Sequence, residues 1–478
     1  MREKFEAQYS IGVKKIEDTQ PNLKSRDAFP KLILALKELY INPKFNNKLF
    51  NILEDKIIKG KKATGRPGMN LWQIFVLAQT RLALNISYDT LHDYTNEHKT
   101  YRQLLGIEAE IGFEQIEIEY QTIIDNISLL DEATLKKIND LIVEMGHDVF
   151  KKKETEALRL KTDSFVVESN VHFPTDYNLL WDSARKCISS IKKLLEKYPE
   201  TTGWRNIKYW FRELKNQMRA ISQSKKKSEE VRVQLVQGYL EKAKLFLLKL
   251  NNQKNNLQLI DDIDLAIHLE MDYYMEMLVK HIDLLERRVI KGETIPHEEK
   301  VFSIFETYTE WINKGKQHKS VELGKNVQIT SDQFHLIVDY HIMENETDSQ
   351  TVIPLADRLL AKYLISVWSF DKGFFNKETK NLLSLFINDL VMPKKGKLNK
   401  KEAEEEHKPM FKKFRNKHSA VESNINELEH RGLDRCPDRG IKNFRRYVSL
   451  GICAYNLHRI GAELRRQAIE QMQLPKAA

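Results

Sequence analysis

Apolar positions recur at three and four residues from Leu32 to Ile58 (Leu32, Leu36, Leu39, then Phe45, Leu49, Leu53), which predicts two amphipathic helices broken around Asn42-Pro43. Gly65-Arg66-Pro67-Gly68 reads as a rigid turn with an exposed Arg66, followed by a strongly apolar helix over 71–84. Ser87 caps a short helix to Tyr94, and a third helix over about 97–105 stops before Gly106. Three short helices with tight turns are compatible with a helix-turn-helix DNA reader and also with a plain helical bundle. Helical spacing then continues through 113–150, after a first arm (1–30) with little periodicity.

At Leu158 the period changes to two, through LRLKTDSFVVESNV, and the β-branched content predicts a strand or hairpin. Phe173-Pro174-Thr175-Asp176 breaks it, and Thr175 or Asp176 caps the next helix. From about 177 to 320 the pattern is helical again, with seams through Ile207, Leu214 and Ile221, through Leu235, Leu240 and Leu247, and from Ile260 to Ile282. Alternation returns as a β-hairpin over 327–343. A helix (353–363), a buried strand LISVWSF (364–370), a short helix (379–386) and a short strand (387–391) follow. A Lys/Glu-rich linker over 393–417 leads into a helix from about Phe411 to His430, and a long helix runs from Ile441 to about Met472. The order is α/β with one large helical interruption. No GxGxxG follows the first strand and no Walker sequence occurs, which excludes a dinucleotide fold and disfavours an NTPase.

Composition sharpens this only in places. The chain has 478 residues, enough for two to four domains with substantial cores. Lys and Arg exceed Asp and Glu by 77 to 68, a net charge of +9, whose sign favours a polyanionic partner. Cys187, Cys436 and Cys453 offer neither a disulfide framework nor a zinc spacing, and read as small buried residues of a reducing compartment. The lack of an 18-residue apolar run and the polar start MREKFEAQYS predict a cytoplasmic protein without a membrane span.

Three acids hold informative places. Asp163 lies on the first strand, Asp371 directly follows the buried strand, and Glu422 borders the apolar seam of the 411–430 helix. If they converge, their mutual repulsion calls for a hard divalent cation, Mg²⁺ or Mn²⁺; if they do not, they are ordinary strand-end and surface acids. Arg205, Lys208, Arg212, Lys215 and Arg219 recur at three and four beside an apolar seam, a cationic stripe suited to phosphates or simply a solvated face. Glu168, Asp176, Asp332 and Asp348 read as turn or hydrogen-bonding acids, and His172, His335 and His341 as structural histidines.

Several blocks carry a resemblance. The stretch 162–180 (TDSFVVESNVHFPTDYNLL) closely resembles the first catalytic block of DDE transposases of bacterial insertion sequences. Phe370-Asp371-Lys372-Gly373-Phe374 is similar to their second block, and Lys417-His418-Ser419-Ala420-Val421-Glu422-Ser423-Asn424 to their third. Gly432-Leu433-Asp434-Arg435-Cys436-Pro437, the final helix, and the N-terminal Gly65-Arg66-Pro67, Ser87-Tyr88 and Tyr101-Arg102-Gln103-Leu104-Leu105-Gly106 add to it. The resemblance implies an RNase H-like mixed sheet core with Asp163, Asp371 and Glu422 as catalytic residues and metal ligands, for two Mg²⁺ or Mn²⁺ ions. It implies an all-α N-terminal DNA-binding domain over 1–150, a core from 155–182 and 320–440, a helical insertion over 183–319 and a C-terminal helix over 441–478.

DNA contacts are then expected at Arg66, Arg205, Lys208, Arg212, Lys215, Arg219, Lys372, Lys417 and His418. The implied partners are the terminal inverted repeats of an element, target DNA and a second copy of the chain. The implied activity is phosphodiester cleavage at element ends and strand transfer by the freed 3′-hydroxyl. The alternatives are an RNase H-like nuclease without strand transfer and a non-catalytic DNA-binding protein derived from a transposase. Two departures stand out. More than 200 residues separate Asp163 from Asp371, and Arg415, His418 and Glu429 occupy the positions of the Tyr, Arg and Lys in the Tyr-x2-Arg-x3-Glu-x6-Lys signature of one transposase group.

Overall fold

The structure is a computed structural model that describes residues 11–61, 68–313 and 321–473, without the side chain of Lys225. Seven helices open the described chain: α1 (Ala28–Ile41), α2 (Pro43–Ile57), α3 (Leu71–Ala83), α4 (Tyr88–Glu97), α5 (Lys99–Leu104), α6 (Tyr120–Ile127) and α7 (Glu132–Val149). Strand β1 (Leu158–Ser169) follows, then α8 (Asp176–Lys197), α9 (Ile207–Gln223), α10 (Glu229–Gln253) and α11 (Asp262–Leu285). The chain continues through β2 (Glu310–Asn313), β3 (Val321–Ser331), β4 (Ile337–Ile342), α12 (Asp348–Leu360), β5 (Ile365–Phe370), α13 (Lys377–Leu383) and β6 (Asp389–Val391). It ends with α14 (Lys400–His407), α15 (Pro409–Lys417), α16 (Ser419–Leu428), β7 (Arg435–Cys436) and α17 (Ile441–Gln473). Two compact units result, residues 1–170 with 312–478, and residues 171–311. The first 150 residues therefore share a unit with the sheet.

β1 is the hub of the sheet of the first unit. It pairs antiparallel with β3, which pairs antiparallel with β4, and on its other side it pairs parallel with β5, which pairs parallel with β6. The order β4-β3-β1-β5-β6, with three antiparallel strands followed by two parallel ones, is the RNase H-like arrangement the sequence implied; β2 flanks β3 and β7 pairs with β1. Alternation along β1 decides its faces. Leu158, Leu160 and Thr162 turn toward an apolar layer of Val352, Leu355, Leu359, Trp368 and Phe370, whereas Lys161 and Asp163 take the opposite face.

α17 is the pillar of this unit. It is buried almost continuously from Phe444 to Gly461 and packs against α1, α3 and α7. At Gly461 a Cβ would lie 1.9 Å from the Lys31 carbonyl oxygen, so only glycine lets α1 approach this closely. Asn456 takes the Ile337 amide at 2.8 Å and donates to Asn139 Oδ1 and the Ile337 carbonyl, both at 2.9 Å, which ties α17 and α7 to β4. Two buried arginines are compensated, as burial of charge requires. Arg81 forms a two-pronged pair with Asp438 at 2.7 and 2.9 Å between the rings of Tyr88 and Tyr447. Arg102 pairs with Glu108 at 3.1 Å and donates to the carbonyls of Thr95, Asn96, Ile107 and Ile116.

Several element boundaries differ from those the pattern predicts. The hairpin starts earlier, at Val321. The supposed linker contains α14, nucleated by a capping box between Asn399 and Glu402. The helix expected from Phe411 to His430 is two helices joined at His418, which keeps helical φ/ψ while the bonds around it tighten to i→i−3 (His418 N–H to the Arg415 carbonyl, Val421 N–H to the His418 carbonyl). Helix in the second unit stops near residue 290, and β2 follows irregular chain.

The second unit packs α8, α9, α10 and α11 around a core that includes Ile191, Leu214, Tyr239, Phe246, Met271 and Leu278. Thr175 caps α8, and Asp261 and Asp264 form the capping box of α11. His281 on α11 is wholly buried with neither ring nitrogen hydrogen-bonded among the described residues. Burial pushes its pKa down to about 4, with Lys280 adding in the same direction. A histidine held neutral contributes stability above its unfolded pKa, near 6.5, and loses it as pH falls toward 4. His281→Leu is therefore expected to flatten the acid limb of chemical denaturation by up to about 3 kcal/mol between pH 7 and pH 4. An unchanged pH dependence in the urea midpoint would show that the ring is not held neutral.

Candidate catalytic site

The β1–β5 ladder places the first two acids. Lys161 stands opposite Ser369 and Thr162 opposite Phe370, so Asp163 on β1 and Asp371, the extended residue directly after β5, are the next positions past the last ladder pair. Partners in a parallel ladder point to the same side. Lys161, Ser369, Asp163 and Asp371 thus share the face opposite the Trp368–Phe370 layer. β5 ends at Phe370, and Asp371 continues in extended conformation before a short 3₁₀ turn over Lys372–Phe374. Asp163 is half-buried, with Oδ1 accepting the Ser164 amide at 2.7 Å, and Asp371 is exposed.

The register is locked from behind. Thr162 Oγ1 accepts Trp368 Nε1–H at 2.8 Å and bonds Thr330 Oγ1 at 2.8 Å, linking β5, β1 and β3 in one buried row. Asp348, the first residue of α12, takes the Ser164 hydroxyl at 2.8 Å, and a Cβ on Gly373 would meet its Oδ2 at 2.7 Å. One carboxylate thereby braces the residue after Asp163 against the turn after Asp371, a closer role than that of a turn residue.

α16 packs on β1 and carries Glu422, which is exposed. Its face toward the sheet supplies Val421, Asn424 and Leu428. His418 bonds Ser369 Oγ at 3.0 Å, and Asn424 Oδ1 accepts from His335 Nδ1 at 3.2 Å. The structure thus brings Asp163 and Asp371 side by side and sets the Glu422 helix over the same face. Among the described residues no three His, Cys, Asp or Glu side chains stand close enough together to hold an ion. The donors at hand are all carboxylate oxygens, the ligand type that Mg²⁺ and Mn²⁺ select.

Cations surround the aspartates. Burial lowers the pKa of Lys161, Asp332 opposes the shift, and Arg159 and Lys417 add to it. Burial likewise pushes His418 down to about 4 against the pull of Asp371. Lys372 and Lys417 are exposed. His418 is not the surface group for DNA that the sequence suggests, because it is 9% exposed and its ring is turned to β5. Arg66 lies outside the described residues.

In the second unit Arg205, Lys208, Arg212 and Arg219 are exposed, and Lys215 lies half-buried over the Phe211 ring. The exposed positions of α4 are instead Asp89, Asp93 and Glu97, one acidic stripe that a helix lying in a DNA groove would not carry. Other singled-out side chains are satisfied locally: Glu168 by Arg435 at 3.2 Å, Asp176 by Arg288 at 2.7 Å, Asp332 by His147 at 2.7 Å and His341 by Glu346 at 2.7 Å. Burial raises the pKa of Asp176, which Arg288 and Lys300 oppose. Sequence reasoning missed Lys161, Ser369 and Asn424. The first two are legible as the residues two before each aspartate, on the same face of a strand, and the third as seam position i+3 from Val421.

Residues 287–457 match the family model of the transposase DDE domain. No curated protein and no solved structure matches the chain. The matched stretch contains Asp371 and Glu422, and Asp163 joins them only through the strand pairing.

Thr162→Val keeps the β-branched shape and removes the hydroxyl that serves Trp368 and Thr330. The buried indole N–H then has no acceptor, and a destabilisation of about 1–3 kcal/mol is expected. Urea denaturation measures it, while an unchanged far-ultraviolet dichroism spectrum checks that the sheet persists.

Proposed function

Since the chain carries a DDE transposase domain of the insertion-sequence type, we propose that it cleaves DNA at the ends of an element and joins the freed 3′-hydroxyl to target DNA. The observation that carries this reading is the in-register pair Asp163 and Asp371, on one face of an RNase H-like sheet with the Glu422 helix packed over that face. Asp163 and Asp371 would hold the metal ions together, and Glu422 would complete one site from the helix. When bound, Mg²⁺ or Mn²⁺ supplies Lewis acidity that activates an attacking hydroxyl and stabilises the leaving oxygen. In the first step water adds to the scissile phosphorus, the P–O3′ bond breaks and a 3′-hydroxyl is released. In the second step that hydroxyl displaces a 3′-oxygen in target DNA.

The chain's own groups have further parts in this reading. Lys161, Lys372 and Lys417 offset the carboxylate charge and favour approach of a phosphodiester. The α9 stripe tracks a DNA backbone, and with an acidic exposed face α4 contributes little to holding phosphates. The protein works on terminal inverted repeats, in the cytoplasm, as a dimer on DNA. No helix among the described residues is long and apolar enough to cross a membrane.

Purified protein is expected to cleave end-containing DNA with Mg²⁺ or Mn²⁺ and not with a chelator, and a gel that resolves joined from merely cut product separates a transposase from a nuclease. Asp163→Asn, Asp371→Asn and Glu422→Gln are each expected to reduce cleavage by at least about 10³-fold, with DNA affinity unchanged. Normal turnover by Glu422→Gln would remove the third acid from the site.

The stripe has its own test. Arg212→Gln, Lys215→Gln and Arg219→Gln together are expected to weaken specific and random DNA alike and to reduce the slope of log K against log salt by about 0.9 for each phosphate no longer neutralised. Cleavage at saturating DNA should survive. Unchanged affinity and slope would make α9 a solvated face.

A further inference from the structure

His418 stands four residues before Glu422, one helical turn away, at the point where α15 ends and α16 begins. No side chain caps the N-terminus of α16. The helix is held there instead by the His418 ring, 3.0 Å from Ser369 Oγ. Ser369 is 2% exposed and lies two residues before Asp371 on the same strand face. Its hydroxyl also lies 3.4 Å from the Leu160 carbonyl, which can only accept, so His418 Nδ1–H is the donor in the tether. Two residues beyond Glu422, Asn424 is 3% exposed and accepts from His335 at the β3–β4 turn, at 3.2 Å. Two polar tethers to separate strands therefore bracket the third acid.

Val421 and Leu428 give the helix adhesion to the sheet, but apolar contact is non-directional. A directional bond is what sets rotation about the helix axis. A side-chain tip about 6 Å from the axis moves about 2 Å for a 20° turn. Displacement on that scale takes a ligand out of a metal's coordination distance. Glu422 makes no hydrogen bond or ion pair among the described residues, so its place follows from the helix alone.

We infer that His418 is a positioning residue, which through Ser369 fixes the rotation of α16, the helix that carries Glu422 over the strand face shared by Asp163 and Asp371; Asn424 sets the other end. The inference rests on the proposed reading of those three acids as metal ligands. His418 touches neither DNA nor metal. It replaces a phosphate contact at this position with a bond inside the fold.

The experiment uses the full-length protein with His418→Leu, His418→Asn, Ser369→Ala and Asp371→Asn. Asn keeps a donor near the Nδ1 position and Leu keeps none. Mn²⁺ binding is read directly by electron paramagnetic resonance without DNA, and cleavage kcat and KM are measured with Mn²⁺. His418→Leu and Ser369→Ala are each expected to weaken Mn²⁺ binding and lower kcat by roughly tenfold or more, with KM for DNA unchanged. The Leu-and-Ala double variant should be no worse than either single, and His418→Asn should recover to within about threefold of wild type. In a Glu422→Gln background His418→Leu should leave Mn²⁺ binding where it was.

Unchanged Mn²⁺ affinity and kcat in Ser369→Ala and His418→Leu, with Asp371→Asn inactive, would overturn the inference and spare the proposed function. A lowered melting temperature without a change in Mn²⁺ binding or kcat has the same meaning, since the contact is then only structural. If Asp371→Asn binds Mn²⁺ and cleaves like wild type, the proposed function itself falls. Should His418→Leu fail to fold, Ser369→Ala alone decides.

Discussion

The register between β1 and β5 is the constraint on which the site depends. Side chains alternate along a strand, so a slip of one residue would turn Asp371 to the other face, into the layer of Trp368 and Phe370. Nothing about the aspartates themselves favours being neighbours, since two like charges repel. The pairing is imposed from behind by apolar burial and by the Thr162, Trp368 and Thr330 bonds, which exist in one register only. The sheet thus stores an electrostatically unfavourable pair by means of favourable contacts on its opposite face. Asp348 extends the same arrangement beyond the ladder, where β5 has already ended.

α17 makes that sheet part of a larger body. Its Asn456 reaches the buried Ile337 amide and carbonyl on β4, and Asn139 on α7 donates to the same carbonyl. The segment joining α16 to α17 is pinned as well. Gly432 adopts φ 99°, and a Cβ there would lie 2.4 Å from Asn85 Oδ1 at the α3–α4 turn. Arg81 of α3 holds Asp438 a few residues on. Helices from the first 150 residues therefore brace the far end of the Glu422 helix. The apolar faces of α1, α3 and α7 are spent largely on α17, while α4 packs on α3, α5 and α6, and its fully exposed positions are all acidic.

Much of this is legible in the chain. Period-two patterning over 158–171 and 364–370 locates the two strands that matter, and the spacing of Val421, Ile425 and Leu428 locates the helix bearing Glu422. Local pattern reports which face of an element is apolar, and that suffices for the fold class. It does not report register, so the alignment of Asp163 with Asp371 across more than 200 residues has no sequence signal beyond the resemblance of the blocks. The break at His418 is illegible for a related reason. Ala420 and Val421 continue the helical spacing without Gly or Pro, and the junction is only a local change to i→i−3 bonding at a residue that keeps helical φ/ψ. His418 also reads as a surface cation beside Lys417, because sequence gives the residue type without its exposure. The acidic stripe on α4 is readable as Asp89, Asp93 and Glu97 at i, i+4 and i+8.

The division of labour among the three acids follows from these supports. Asp163 lies within β1 and Asp371 directly follows β5, one residue past the last ladder pair, so in the proposed reading a metal must fit them rather than the reverse. A helix lying on the sheet can rotate and slide by small amounts, and polar tethers select one setting from that range. In the proposed reading the adjustable ligand is the one on the helix, and the residues that select its setting are buried and distant in sequence from the strands they grip. A site built this way places rigidity at the two-acid base and tuning at the third acid. The tuning side chains are neutral as well: burial holds His418 near pKa 4, so the ring that orients Glu422 adds no positive charge where a cation is to bind.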